Sequence, residues 1–410
     1  MKHIPIRSNK ASARKQNRHL TRQLAKFLKK HGLLRLLKRI NIYHQREKKD
    51  SGISFLLQFL LSKLWRIGSA YAANINIVPK NVQHTLEVER FSPKSTFYDE
   101  IPCLNLQSME NFNDELVKKS LRELERIIVT LDGHGIDLWS KLYALAAWGA
   151  TSNEHKFWGY KLFATVLHGL DFVVKHVLAP ANNSAVTFAQ HLVEQTLLIT
   201  RRIDVLLVDR EFTDFTLWAW LIEKGIGFII PAKDDNAVTK VIRRTLDTKL
   251  FQKMDEQTEY YESLAYFPDL RQNLRVIFIK KKIIENGEEK IKEYELITNL
   301  PPKYSTIEVI ELYPLRQGRE DVWDRLKNEF DLHKPCKIKD YAGVEAFTAL
   351  TLAAYNLYAL FSNTIFGCYK TIVVLYRAWL FGEIDFPENF FLKISAPDFL
   401  SAPQANSAQP

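Results

Sequence analysis

The sequence predicts an α/β fold, a mixed β-sheet with flanking helices. Three observations carry that prediction. From Arg126, three short β-branched runs are followed by helix, strand, helix and strand, the order of a sheet covered by helices. A charged, β-rich stretch over residues 234–300 interrupts this order, and helical text occupies both ends of the chain.

Residues 18–40 place Leu20, Leu24, Phe27, Leu28, Leu33, Leu34, Leu36, Leu37 and Ile40 at three-to-four spacing among basic residues. With Gly32 as a break, this predicts two short basic amphipathic helices. Ile127–Leu131 is a strand that ends at Asp132. Tyr160–Leu167 and Phe172–Leu178 are strands joined by the turn signal His168, Gly169. Ser184–Leu198 has a helical period behind a Ser cap, and Val205–Val208 is a buried strand that ends at Asp209. Thr213–Lys224 reads as a helix stopped by Gly225, and Gly227–Pro231 as another strand. An RNase H-like core has this order of elements. Leu274–Ile279 and the hairpin signal Asn286, Gly287 then mark the β-rich insertion. Helical text resumes after Thr306, and a helix from about Gly318 to Phe330 carries Glu320 and Lys327.

The expected organisation is a basic helical DNA-binding region over residues 1–125 and the first part of the core over 126–233. The β-rich insertion follows over 234–300, then a core helix with the candidate glutamate over 301–335. A helical C-terminal region spans 336–400, and residues 401–410 form a loose tail. Nucleic acid is the leading candidate for a partner because charge is uneven. Residues 1–50 hold 16 Lys and Arg against Glu47 and Asp50, whereas the other 360 residues hold 41 basic and 45 acidic ones. A basic front end on a near-neutral body suits a polyanion, since each cation near a phosphate displaces condensed counterions. A solvated basic face and a membrane-surface helix are the alternatives for residues 18–40.

Cys103, Cys336 and Cys368 are far apart and lack Cys-x-x-Cys or His-rich surroundings, which argues against structural zinc or a disulfide framework and for a reducing, cytoplasmic setting. Charges recur from Lys2 to Lys30, unlike a secretory signal. Phe55–Trp65 is too short to span a bilayer. Ala346–Tyr369 has the length, but Thr348, Thr351, Asn356, Ser362, Asn363 and Thr364 favour a buried core helix. No membrane partner is expected.

Two-metal phosphodiester chemistry needs a few carboxylates from separate elements, holding ions roughly 3.5–4 Å apart. Asp132 and Asp209 each stand at a predicted strand end, where a helix or turn cap is the preferred reading of either Asp taken alone. Glu320 is more specific. Tyr313, Arg316, Glu320 and Lys327 have the spacing Tyr-x2-Arg-x3-Glu-x6-Lys. Four fixed identities at about 5% usage arise by chance in roughly a few per thousand sequences of this length. Glu308, Glu311 and Glu329 compete for the third position but lack these flanks. On a helix, Arg316 and Lys327 fall within about 40° of the face of Glu320, although Pro314 and Gly318 make the start irregular.

This run resembles the signature of the DDE transposases of bacterial and archaeal insertion sequences, cut-and-paste enzymes in which it surrounds the catalytic glutamate. Ile128, Val129, Thr130, Leu131, Asp132, Gly133 is similar to the first-aspartate motif of that family. Leu207, Val208, Asp209, Arg210, Glu211, Phe212 is similar to the second, and Thr298, Asn299, Leu300 to the strand end before the glutamate helix. The resemblance covers residue 126 to about 335. It implies catalytic, metal-ligating roles for Asp132, Asp209 and Glu320, with two Mg2+ ions for which Mn2+ can substitute. It implies DNA contacts by Tyr313, Arg316 and Lys327. For Arg210 it implies another, beside the alternative of a salt bridge to Asp214 or Glu211.

The implied activity is hydrolysis at transposon ends followed by strand transfer into target DNA. Double-stranded DNA is the substrate, with inverted-repeat ends, a hairpin route of excision, a homodimer on paired ends, and a cytoplasmic, nucleoid-associated location. A catalytically inactive, transposase-derived DNA-binding protein is the alternative, which the presence of all three acids opposes. Core packing is the preferred reading of Trp323, with base stacking as the other. His134, His155 and Lys156 are given structural roles.

Overall fold

The computed structural model describes residues 22–40, 52–64, 86, 88, 99–121, 124–138, 140–150, 156–285, 288–334 and 338–366. Its centre is a ten-stranded sheet. Strand β1 (Ile128–Asp137) pairs antiparallel with β3 (Lys156–Leu167), and β3 pairs antiparallel with β4 (Phe172–Pro180). On its other side β1 runs parallel to β5 (Val205–Leu207), and β5 runs parallel to β6 (Phe228–Pro231). Three antiparallel strands followed by two parallel ones make an RNase H-like core. A short strand that the sequence did not announce, β2 (Ala147–Ala150), pairs with the start of β3.

The β-rich stretch continues this sheet. β10 (Glu288–Thr298) pairs antiparallel with β6, and β9 (Gln272–Glu285), β8 (Thr258–Phe267) and β7 (Gln252–Lys253) follow in order. Glu285 faces Glu288 across the hairpin, whose turn residues Asn286 and Gly287 lie outside the described residues.

One boundary needs correction. The sequence ended the first strand at Asp132, whereas β1 continues to Asp137. Gly133 and Gly135 are close-approach positions within the strand rather than stop signals. A Cβ on Gly133 would lie 2.8 Å from the Phe163 ring, and one on Gly135 would lie 2.7 Å from the Phe157 ring.

Alternation along the strands sorts side chains between two covered faces. Val129 and Leu131 of β1, with Leu206 and Val208 on and just after β5, enter the cluster beneath α5 (Ala185–Thr200) and α6 (Phe215–Glu223). Helix α6 starts where the Asp214 carboxylate accepts from the Leu217 N–H at 2.9 Å, a regular N-cap. Ser184 stands at the corresponding place before α5 but makes no side-chain cap bond. On the opposite face, Ile128, Val205 and Leu207 enter a cluster covered by α8 (Thr306–Leu312), while Ile136 enters one containing α10 (Tyr341–Phe366).

Among the described residues, one helix is long and apolar enough to cross a membrane: α10, over Tyr341–Phe361. Inside the protein 83% of its window is buried. Its polar groups are satisfied there. Thr348 and Thr351 donate to the carbonyls of Val344 and Phe347, each at 2.8 Å. Asn356 bonds both the N–H and the carbonyl of Val173 on β4, at 3.0 and 2.7 Å. Asn113, from α4 (Leu106–Ser120), donates to the Val173 and Val174 carbonyls.

The apolar sides of α1 (residues 22–30) and α2 (Leu33–Leu37) enter the same cluster as α10. Gly32 takes a positive φ of 66° between them, where a side chain would be strained. Arg22, Lys26, Lys29, Lys30, Arg35, Lys38 and Arg39 stay exposed, so the outer surface of this pair is entirely basic in its charged groups. The expected tail 401–410 lies outside the described residues.

On β4, burial and the neighbouring Lys175 push His176 down to about 4 from 6.5. Unfolding therefore takes up a proton between those values, so this contribution to stability is complete above about pH 6.5 and is lost as pH falls toward 4. The thermal midpoint should drop between pH 7 and pH 5, and His176→Gln should flatten that drop; a scanning calorimetry series would show it.

Candidate active site

The parallel pairing of β1 and β5 places two acids together. Thr130 lies opposite Leu207, and two residues further on come Asp132, within β1, and Asp209, just past the end of β5. Period-two alternation turns Asp132 to the side of Ile128 and Ile136, and Asp209 to the side of Val205 and Leu207, which is one and the same face. Both are half-buried, at a break between the two apolar clusters of that face. Asp209 also shapes its own loop: its Oδ1 accepts the Glu211 N–H at 2.9 Å and starts the turn Arg210–Phe212.

The segment 313–328 docks on this face and touches both aspartates. It is not one continuous α-helix. Tyr313–Gln317 is a 3-10 turn with Pro314 in its first positions, and α9 (Gly318–Asn328) follows. Arg316 lies in the turn, so the simple helical offset from Glu320 does not apply. Its guanidinium reaches Asp209 Oδ2 at 3.3 Å and lies 5.5 Å from the centroid of the Tyr313 ring. Arg316 Nε is buried without a hydrogen-bond partner among the described residues.

Trp323 reaches the other acid, donating its indole N–H to Asp132 Oδ2 at 3.1 Å. Glu320 is exposed on the first turn of α9, and Lys327 is exposed near its end. The structure thus brings Asp132 and Asp209 to one face beneath the motif segment. Among the described residues it assembles no group of three His, Cys, Asp or Glu close enough to hold a metal ion.

Sequence reasoning undervalued the aromatic side of the site. His134 follows Asp132 on the same face of β1 and stacks on Trp323, with ring centroids 5.1 Å apart and planes at 11°. His333 meets it with the two Nε2 atoms 2.9 Å apart. Burial, then His333, then Lys327 push His134 down to about 3 from 6.5. Burial and Lys327 lead in lowering His333 to about 4. Both imidazoles are therefore neutral at neutral pH. The only sequence signal was the even spacing of Asp132 and His134. His155 lies outside the described residues, and Lys156 is exposed at the start of β3.

Arg210 is exposed and makes no ion pair with Asp214 or Glu211 among the described residues. It lines an open groove of about 670 Å³ with Lys161, Asn182, Asn183, Glu211 and Lys233. Of the competing acids, Glu308 pairs with Arg126, at the start of the core.

The motif segment is anchored from the far half of the sheet. Arg275 of β9, 7% exposed, pairs with Glu262 of β8 at 2.7 and 2.9 Å. It also donates to the Leu300, Pro301 and Tyr304 carbonyls in the loop before α8. Burial raises the Glu262 carboxyl, but bonds from Arg275 and Thr306 outweigh it and hold the group below its usual range. Asn299 fixes the start of that loop, accepting from Phe228 N–H at 2.7 Å and donating to the Ile226 carbonyl at 2.9 Å.

As donors, Asp132, Asp209 and Glu320 offer oxygen alone, which suits a hard divalent cation such as Mg2+ or Mn2+. Glu320 must turn in from its exposed position for the three to share an ion. A family model described as the transposase DDE domain matches residues 123–357. No curated protein matches the chain by sequence. Among solved structures, the cryo-EM structure of a piggyBac transposase synaptic complex with hairpin DNA is distantly similar. Its TM-score is 0.45 at 11% identity, over 92% of this chain and 87% of that one.

Replacing Arg275 strands a partly buried carboxylate and three carbonyls. Arg275→Met should cost about 2–3 kcal/mol in urea unfolding, whereas a loss below about 0.5 kcal/mol would mean that the loop is held by other contacts.

Proposed function

The chain belongs to the transposase DDE domain family, and on that premise we propose that it cuts DNA at transposon ends and joins the freed 3′ ends to target DNA. The observation that carries this reading is the pair Asp132 and Asp209 on one face of adjacent parallel strands, with the Tyr313 to Lys327 segment docked on both. Asp132, Asp209 and Glu320 would hold the divalent ions. When bound, such ions activate the attacking oxygen and stabilise the leaving one.

The remaining work belongs to the side chains around them. Arg316, which pairs with Asp209 and lies over the Tyr313 ring, would move its planar guanidinium to a phosphate beside the scissile bond when DNA binds. Lys327, exposed near the end of α9, supplies a second cation, and Arg210 contacts DNA from the groove that it lines. No covalent link between protein and DNA is needed, because water and then a 3′ hydroxyl act as nucleophiles. The exposed basic side of α1 and α2 supplies phosphate contacts away from the site. Inverted-repeat ends, excision through a hairpin, and two copies on paired ends belong to the same reading.

DNA from just outside the encoding gene, incubated with the full chain and Mg2+, is the test. Wild type should nick it, and Asp132→Ala, Asp209→Ala and Glu320→Ala should each reduce cutting to background while retaining DNA binding. Cutting that survives Asp209→Ala or Glu320→Ala would overturn the assignment. Binding without cutting by wild type would favour a transposase-derived DNA-binding protein. Lys30→Ala should lower the slope of log affinity against log salt by about 1 if Lys30 contacts a phosphate.

A further inference from the structure

We infer that Trp323 is the positioning residue for Asp132, an inference that rests on the catalytic reading above. The indole is held in a way that core packing alone does not require. Its N–H donates to Asp132 Oδ2 at 3.1 Å, its face lies on His134 at 5.1 Å and 11°, and the residue is 4% exposed. Asp132 and His134 are alternate residues on one face of β1, so a single strand grips the ring by its edge and by its face. His333, in the chain just after α9, closes the far side of His134 with the 2.9 Å contact between Nε2 atoms.

A buried indole N–H needs an acceptor. Here the acceptor is a carboxylate at the candidate site rather than a backbone carbonyl. A donor to an anion is a strong, directional bond, and it fixes which carboxylate oxygen faces the helix. Trp323 also stands one helical turn from Glu320, so the contact that orients Asp132 sets the spacing between β1 and the turn that carries Glu320. Membership of the apolar cluster needs the ring alone; the N–H is the part that acts on Asp132.

Trp323→Phe keeps an aromatic ring and deletes the donor. Partners that orient a metal ligand are typically worth 10–100-fold in metal affinity or activity. The full-length variant, bound to end-containing DNA, should bind Mn2+ about 10–100-fold more weakly than wild type by calorimetry. The Mn2+ concentration for half-maximal cutting should rise by the same factor, with DNA affinity unchanged. His134→Leu leaves the donor but removes its clamp, and should shift Mn2+ binding in the same direction by a smaller factor.

Wild-type Mn2+ binding by Trp323→Phe would overturn the inference. If Trp323→Phe does not fold, wild-type Mn2+ binding by His134→Leu would do so. Asp132→Asn, run in parallel, separates this from failure of the catalytic reading. If Asp132→Asn neither binds Mn2+ at this site nor cuts while Trp323→Phe behaves as wild type, only the positioning role fails. If Asp132→Asn binds and cuts normally, the catalytic reading fails and the inference goes with it.

Discussion

The site depends on the parallel register between β1 and β5. Every pair in that ladder is separated by 77 residues: Ile128 with Val205, Val129 with Leu206, Thr130 with Leu207. The register is clipped at its start, where Asp204 Oδ2 accepts the Ile127 N–H at 2.7 Å and the Asp204 N–H returns to the Ile127 carbonyl at 2.9 Å. A slip of one residue would turn one aspartate to the opposite face, into the cluster beneath α5 and α6. Parallel pairing at that distance requires a long crossover, which β3, β4 and α5 supply. The antiparallel strands and the helix are thus the means by which two distant acids become neighbours.

The third motif reaches the same face from the opposite direction along the chain. After β10 returns to β6, Asn299 and the Arg275–Glu262 pair hold the loop that feeds α8 and then the 3-10 turn. The extended half of the sheet is therefore mechanically part of the site. The named bonds act together with packing, since Ile277 and Ile279 of β9 share an apolar cluster with Val309, Ile310 and Leu312, against which Tyr313 and Leu315 pack.

Much of this was legible in the chain. The order of elements, the place of each aspartate after an apolar strand run and the four-residue run around Glu320 all rest on local periodicity and fixed spacing. The misses have physical causes. Gly133 and Gly135 resemble a strand end because glycine marks turns in sequence, whereas here two Phe rings require the missing Cβ. β2 and the attachment of β10 to β6 depend on pairing between distant residues, which has no local signature. The helix of Glu320 begins at Gly318 as expected, but the direction of Arg316 could not be taken from a helical offset, because Pro314 makes the preceding stretch a tighter turn. The contact from Trp323 to Asp132 could not be read at all, because a single sequence shows that an indole is apolar and not where its N–H points.

The two helix asparagines that bond β4 have a consequence for how copies of the protein can meet. Among the described strands β4 pairs with β3 and lies off the main path of the sheet. Its outward backbone groups at Val173 and Val174 are taken by the side-chain amides of Asn113 and Asn356. An amide carries the same donor and acceptor as a peptide unit, so α4 and α10 present a one-residue imitation of a neighbouring strand. β-Augmentation is blocked at that point of the margin, because a strand arriving there would find its hydrogen-bonding groups already taken.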